Sequence, residues 1–158
     1  FFFKQKTAYE IPKRDWSSDV CSSDLKVRFA PPNHWFQQHL IDVAMQGNRI
    51  CGWEFHVTGN EEIQYAEYGP EQHYHWHVDI FPLSGRPIDR KLTAVCLLND
   101  PSEFTGGEFQ IRLYSEYTAP LQKGSIIAFP SPLEHRVVPV VSGLRKSATI
   151  WLHGPRFR

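Results

Sequence analysis

Between residues 33 and 48 apolar positions recur at helical spacing, and beyond them the period shortens to that of strands. Asn33 offers an N-cap, Phe36, Leu40, Val43 and Ala44 share one helical face, and Gly47-Asn48 supplies a stop. One amphipathic helix is therefore predicted to lead the domain. The runs that follow are ICGWEFHV, EEIQYAEY, YHWHVDIF, KLTAVCLL, GEFQIRLY, GSIIAF, EHRVVPVV and RKSATIWL, rich in β-branched and aromatic residues. Breaks such as Gly59-Asn60, Gly69-Pro70, Asn99-Asp100-Pro101, Gly106-Gly107 and Pro130-Ser131-Pro132 separate them. About eight strands at this spacing predict a mainly β body of the antiparallel sandwich or jelly-roll kind.

The first 25 residues follow neither period. FFFKQKTAYEIPKRDWSSDVCSSDL has no amphipathic repeat and no apolar signal core, and KQKTAYEI and WSSDVCSSDL can be written in codons that match common sequencing-library oligonucleotides. The segment resembles translated adapter. Residues 1–25 are thus expected to be a non-native, disordered leader, and residues 26–158 one domain with a truncated N-terminal part.

Composition narrows the function classes. At 158 residues, 41% apolar and 14% aromatic, the chain can build one core and one site. Its 17 basic and 17 acidic residues cancel without forming a cationic stripe, so no nucleic-acid partner is expected. No run reaches the ~18 apolar residues of a bilayer span, so no membrane partner is expected either. Three irregularly spaced cysteines make no disulfide framework, which points to a reducing, cytoplasmic location.

The stretch HYHWHVDI, residues 73 to 80, carries the densest candidate chemistry. On a strand His73, His75, His77 and Asp79 share one face, and side chains two apart, about 7 Å along the strand, can converge on one ion. The geometry leaves three pairs open: 73/75, 75/77 and 77/79. A third ligand must come from elsewhere, and His135 stands out among the other histidines because it opens a strand run after a Pro-Ser-Pro turn. Arg145 follows ten residues later, on one strand face with Ser147, Thr149 and Trp151. A guanidinium beside two hydroxyls suits a carboxylate, and Lys146 points the other way.

Together YGPEQHYHWHVD, RKLTAVCLLNDPSEFTGGEFQI and GSIIAFPSPLEHRVVPVVSGLRKSATIWLHGPRFR resemble the iron(II)- and 2-oxoglutarate-dependent dioxygenases of the prolyl 4-hydroxylase type, including the PKHD-type hydroxylases. The resemblance covers nearly all of residues 48 to 158. It implies a double-stranded β-helix, the jelly roll of cupin-like proteins, with the leading helix packed on the major sheet. It implies that His77, Asp79 and His135 bind iron as a facial triad, that Arg145 holds the distal carboxylate of 2-oxoglutarate, and that Tyr68 supports that cosubstrate. Ser147 and Trp151 are weaker pocket candidates. The implied reaction uses Fe(II), 2-oxoglutarate and O2, with ascorbate as auxiliary reductant, to hydroxylate a peptidyl proline, another amino-acid residue or a small molecule.

One departure and one expectation follow. Cys96 stands where some relatives carry a pocket tyrosine, and the loops around residues 82–90 and 100–105 are expected to shape the entrance. Two further readings compete: a non-catalytic jelly-roll domain that binds a metal or ligand, and a zinc site built from His75, His77 and His135. The sequence names neither the prime substrate nor the oligomeric state.

Overall fold

The computed structural model describes residues 25–80, 87–120 and 122–157. The adapter-like residues 1–24, and residues 81–86 of one expected entrance loop, lie outside the described residues. Leu25, assigned to the leader from sequence, is buried in the core.

Helix α1 spans Trp35–Ile50, yet neither of its ends is the one its sequence suggests. Asn33 sits at φ 62, a left-handed conformation that an N-cap does not take. His34 caps instead, its Nδ1 accepting the Phe36 N–H at 3.3 Å. The helix also runs through Gly47-Asn48. Asn48 is buried and its amide clasps the Phe55 backbone in both directions, donating to Phe55 O and accepting from Phe55 N–H, each at 3.0 Å. That clasp satisfies backbone groups a neighbouring strand would otherwise take. ICGWEFHV is accordingly not a strand, and only Gly59–Asn60 (β2) pairs with a sheet.

The other strands are β1 (Lys26–Phe29), β3 (Gln64–Tyr68), β4 (Tyr74–His77), β5 (Ile88–Leu97), β6 (Phe104–Gly106), β7 (Phe109–Arg112), β8 (Glu116–Thr118), β9 (Ile126–Pro130), β10 (Glu134–Val137), β11 (Val140–Gly143) and β12 (Arg145–Pro155). EHRVVPVV yields two strands, because Pro139 between them has no N–H for a ladder. Among the described residues the major sheet runs β1-β3-β12-β5-β9 with β2 against β12, and the minor sheet runs β4-β10-β7-β8. Strands β6 and β11 pair separately, and every pairing is antiparallel. This is the expected jelly roll.

Alternation along β5 and β12 divides the core in two. Leu92, Cys96, Ile150 and Leu152 face α1 with Leu40 and Ala44, whereas Val95 faces Tyr68, Phe109, Phe129 and Val137 between the sheets. Full burial of a side chain such as Leu40 contributes about 1.5–3 kcal/mol, which fixes α1 on the major sheet. Cys96 therefore packs under the helix as a small buried side chain, and its neighbours Val95 and Leu97 turn inward to the cavity.

Candidate metal centre

Strands β4 and β10 pair with His77 directly opposite His135, so one register contact brings together residues far apart in the chain. Their ring centroids are 4.1 Å apart. Asp79 arrives differently. Strand β4 ends at His77, and the Asp79 N–H donates to Ser131 O at 2.9 Å, which folds the carboxylate back beneath the rings. Asp79 is thus placed by a loop anchor, not by the strand alternation that placed it from sequence. Ligand atoms of His77, Asp79 and His135 lie within 4.8 Å of one another. Asp79 Oδ2 is 3.3 Å from His135 Nε2, and Oδ1 is 3.7 Å from His77 Nε2.

Both imidazoles are held from behind. His77 Nδ1 lies 2.7 Å from His75 O, and His135 Nδ1 lies 2.9 Å from Leu133 O. A carbonyl oxygen only accepts, so each Nδ1 carries a proton, and each Nε2 faces the centre with a lone pair to offer once it is unprotonated. Two imidazole lone pairs and a carboxylate aimed at one point make a donor set that suits a divalent cation.

Asp79 has supports the sequence did not reveal. Thr93 Oγ1 donates to Asp79 Oδ2 at 2.8 Å and lies 3.0 Å from Ser131 Oγ, both hydroxyls being buried. Arg90 grips Glu61 through two bonds of 2.6 Å and sets Nη1 3.9 Å from Asp79 Oδ1, its guanidinium stacked 3.9 Å above Trp151. The available signal was polar residues inside an otherwise apolar strand run, RKLTAV.

Protonation follows from these contacts. Burial, then the neighbouring His135, pushes His77 down to about 4 against the pull of Asp79. Burial works to raise Asp79, but His135, His77 and Arg90 outweigh it and hold the carboxyl well below the usual range. Burial works to lower His135, but Asp79 and the Leu133 carbonyl raise it overall. The metal-free centre therefore keeps its proton on His135 while His77 is neutral. A cation must displace that proton, so metal affinity is expected to rise with pH until His135 is deprotonated. Calorimetric titration in buffers of different ionisation enthalpy should show proton release at low pH that falls away as the pH rises through the raised His135 value.

Beyond the centre a cavity of about 280 Å³ opens between the sheets, walled by Val95, Leu97, Phe109, Ile127 and Ser125, with Arg145 in its lining. Arg145 is fully buried, and its Nε and Nη1 have no hydrogen-bond partner among the described residues. Tyr68, directly opposite in register, places its ring 5.2 Å from the guanidinium carbon. Gly107 at φ 68 leaves room for the stem, since a Cβ there would meet Arg145 Cδ at 2.8 Å. That is the physical use of the Gly-Gly-Glu turn. Phe109 spans both features, lining the cavity and packing its ring 5.7 Å from that of His135. Ser147 and Trp151 are buried on the Arg145 face of β12. Glu134 turns outward to Arg112 at 3.5 Å.

The zinc trio is not assembled. His75 is exposed, with Nε2 3.0 Å from His73 Nε2, and it stands outside the cluster formed by His77, Asp79 and His135.

Comparison with known proteins agrees with this geometry. A family model described as the 2OG-Fe(II) oxygenase superfamily matches residues 63–153, a span that holds all three centre residues and Arg145. A PKHD-type hydroxylase of Picosynechococcus sp. is 28% identical over 138 residues, covering 87% of this chain and 62% of the relative. One from Acaryochloris marina is 33% identical over 134 residues, covering 84% and 55%. The chain thus spans less than two thirds of the length of these curated relatives. Among solved structures, a Pseudomonas putida prolyl-4-hydroxylase aligns with TM-score 0.65 at 22% identity, covering 88% of this chain and 74% of that one. A viral collagen prolyl hydroxylase from Paramecium Bursaria Chlorella virus-1, in its 2OG complex, aligns with TM-score 0.68 at 22% identity, covering 85% and 80%. At that identity the structural likeness speaks for the fold alone.

Proposed function

The chain belongs to the 2OG-Fe(II) oxygenase superfamily, and from that membership we propose that it is an iron(II)- and 2-oxoglutarate-dependent hydroxylase with His77, Asp79 and His135 as its metal ligands. The observation that carries the reading is the convergence of two inward-facing Nε2 atoms and one carboxylate, with a buried guanidinium, whose Nε and Nη1 have no hydrogen-bond partner among the described residues, across the adjoining cavity. A face of two imidazoles and a carboxylate leaves coordination positions open for a chelating cosubstrate and dioxygen. It also leaves the centre with net positive charge, which together with Arg145 favours a dianion.

When bound, the iron would supply the oxidative chemistry in which 2-oxoglutarate and O2 become succinate and carbon dioxide as a C–H bond is hydroxylated. The protein binds and shields. Arg145 would take the distal carboxylate as a buried cation, its Nε and Nη1 having no hydrogen-bond partner among the described residues, while the Tyr68 ring lies over the guanidinium. Val95, Phe109 and Ile127 would keep water from the cosubstrate carbon chain. No side chain need transfer a proton in the covalent step. The substrate is proposed to be a peptidyl proline or another amino-acid residue, in keeping with the prolyl hydroxylases whose fold the chain shares. A small molecule is the alternative that a substrate screen coupled to succinate release would separate.

The purified chain, given Fe(II), ascorbate and 2-oxoglutarate, is expected to form succinate slowly even without prime substrate. His77→Ala should reduce this to background. His75→Ala should retain most of it, because His75 supports His77 only through a backbone carbonyl. The proposal fails if the intact chain gives no turnover and His77→Ala changes neither succinate formation nor iron binding.

A further inference from the structure

We propose that His73 and His75 form a second transition-metal site, a two-imidazole clamp on the exposed face of the segment that leads into His77. Their Nε2 atoms stand 3.0 Å apart, with ring centroids at 4.4 Å and planes inclined by 69°. Two imidazoles bound cis to one cation at about 2.0–2.1 Å place their nitrogens about 3.0–3.4 Å apart, so the observed spacing needs little adjustment.

The clamp is anchored on one side. His73 Nδ1 lies 2.9 Å from Glu71 O, so Nδ1 carries the proton and Nε2 offers a lone pair toward His75. Glu71 is fixed in turn, its N–H donating to Val140 O at 2.7 Å, while Val140 N–H returns to Gln72 O at 3.0 Å. His75 belongs to β4, so its backbone is set by the strand. Without metal the His75 Nε2–H donates to His73 Nε2; a cation takes its place when His75 adopts the other neutral tautomer, the proton passing through water to its exposed Nδ1.

The site is separate from the buried centre. His77 turns its Nε2 inward to Asp79, whereas the His73–His75 contact is exposed and water can complete the coordination shell. With two neutral nitrogens and no carboxylate, the clamp selects borderline cations, Cu2+ ahead of Ni2+ and Zn2+, over Mg2+ and Ca2+. It should bind more weakly than the three-ligand centre. The inference does not depend on the identity of the metal at that centre.

The test is calorimetric titration of the full, tag-free chain with Ni2+ alone. Two phases are expected. His73→Gln and His75→Gln should each weaken the shallower phase by at least about tenfold and leave the tighter one unchanged. Asp79→Ala should do the reverse. Circular dichroism melts establish that each variant folds, and Cu2+ electron paramagnetic resonance should report two coordinated imidazoles in a chain carrying Asp79→Ala and His135→Ala, which leaves one imidazole at the buried centre, but not when His73→Gln is added. A single phase in the intact chain, or two phases unaltered by His73→Gln and His75→Gln, overturns the proposal. So does loss of both phases in a folded Asp79→Ala chain, because the clamp would then not be an independent site.

Discussion

Asp79→Ala is expected to lower Fe(II) affinity by at least about 10³-fold and to bring succinate formation to background. Three physical losses coincide there. The centre loses its single anionic donor, leaving two neutral imidazoles that hold a divalent ion poorly. Arg90, whose Nη1 lies 3.9 Å from Asp79 Oδ1, then presents an uncompensated positive charge to the incoming cation. Thr93, buried and in contact with the Ser131 hydroxyl, loses the carboxylate that accepts its own hydroxyl. Asp79→Asn separates these effects. It preserves the shape and a hydrogen bond from Thr93 but removes the charge, so iron binding should fall nearly as far while the melting temperature falls less than in Asp79→Ala. Calorimetric Fe(II) titration under anaerobic conditions, with thermal melts in parallel, provides the check. Wild-type iron affinity in a folded Asp79→Asn chain would mean that the carboxylate is not a ligand.

What the sequence disclosed about this site follows the distance over which its contacts are made. The His77–Asp79 spacing is local, and the His135–Arg145 pair lies within the last strands, so motif and strand period exposed them. The supports of Asp79 lie on other elements: Thr93 reaches it across 14 positions and then meets Ser131 across 38, contacts that exist only once β5 and the turn after β9 are in place. Their signal was faint, a hydroxyl and a guanidinium in an apolar run. Strand alternation put Asp79 on the side of His77, where it lies, but β4 stops at His77 and a bond to Ser131 O does the placing. The same limit explains the helix ends and residues 51–58. Asn48 gave the sequence a plausible stop, but its amide instead satisfies Phe55, and a segment with strand-like composition needs no strand partner there. Cys96 illustrates register: shifting one position along β5 exchanges the pocket face for the helix face, and composition alone does not say which residue is which.

Arg145→Met should separate stability from function, with opposite signs. In the ligand-free chain Arg145 is fully buried, its Nε and Nη1 lack partners, and burial drives the guanidinium pKa down, a direction that reports the cost of holding a charge there. Met spans a similar length of apolar stem and carries no charge into the cavity, while the space above Gly107 that admits the stem remains. The ligand-free variant is therefore expected to melt higher than wild type, by about 1–4 kcal/mol if replacement of other buried ionic groups is a guide. Its 2-oxoglutarate affinity should fall by about 10²–10³-fold, as when one partner of a buried charge pair is removed. Wild type should gain about 2.7 kcal/mol from 2-oxoglutarate at 100 times its dissociation constant, a gain the variant does not show at the same concentration. The two melting curves, with and without the dicarboxylate, should thus cross in order. Arg145→Lys should bind the cosubstrate better than Arg145→Met but below wild type, because an ammonium retains charge without the planar two-pronged geometry. If Arg145→Met leaves the 2-oxoglutarate affinity intact, the cosubstrate does not bind against this guanidinium. If it melts far below wild type without ligand, Arg145 is a structural cation and its burial serves the fold instead of a dianion.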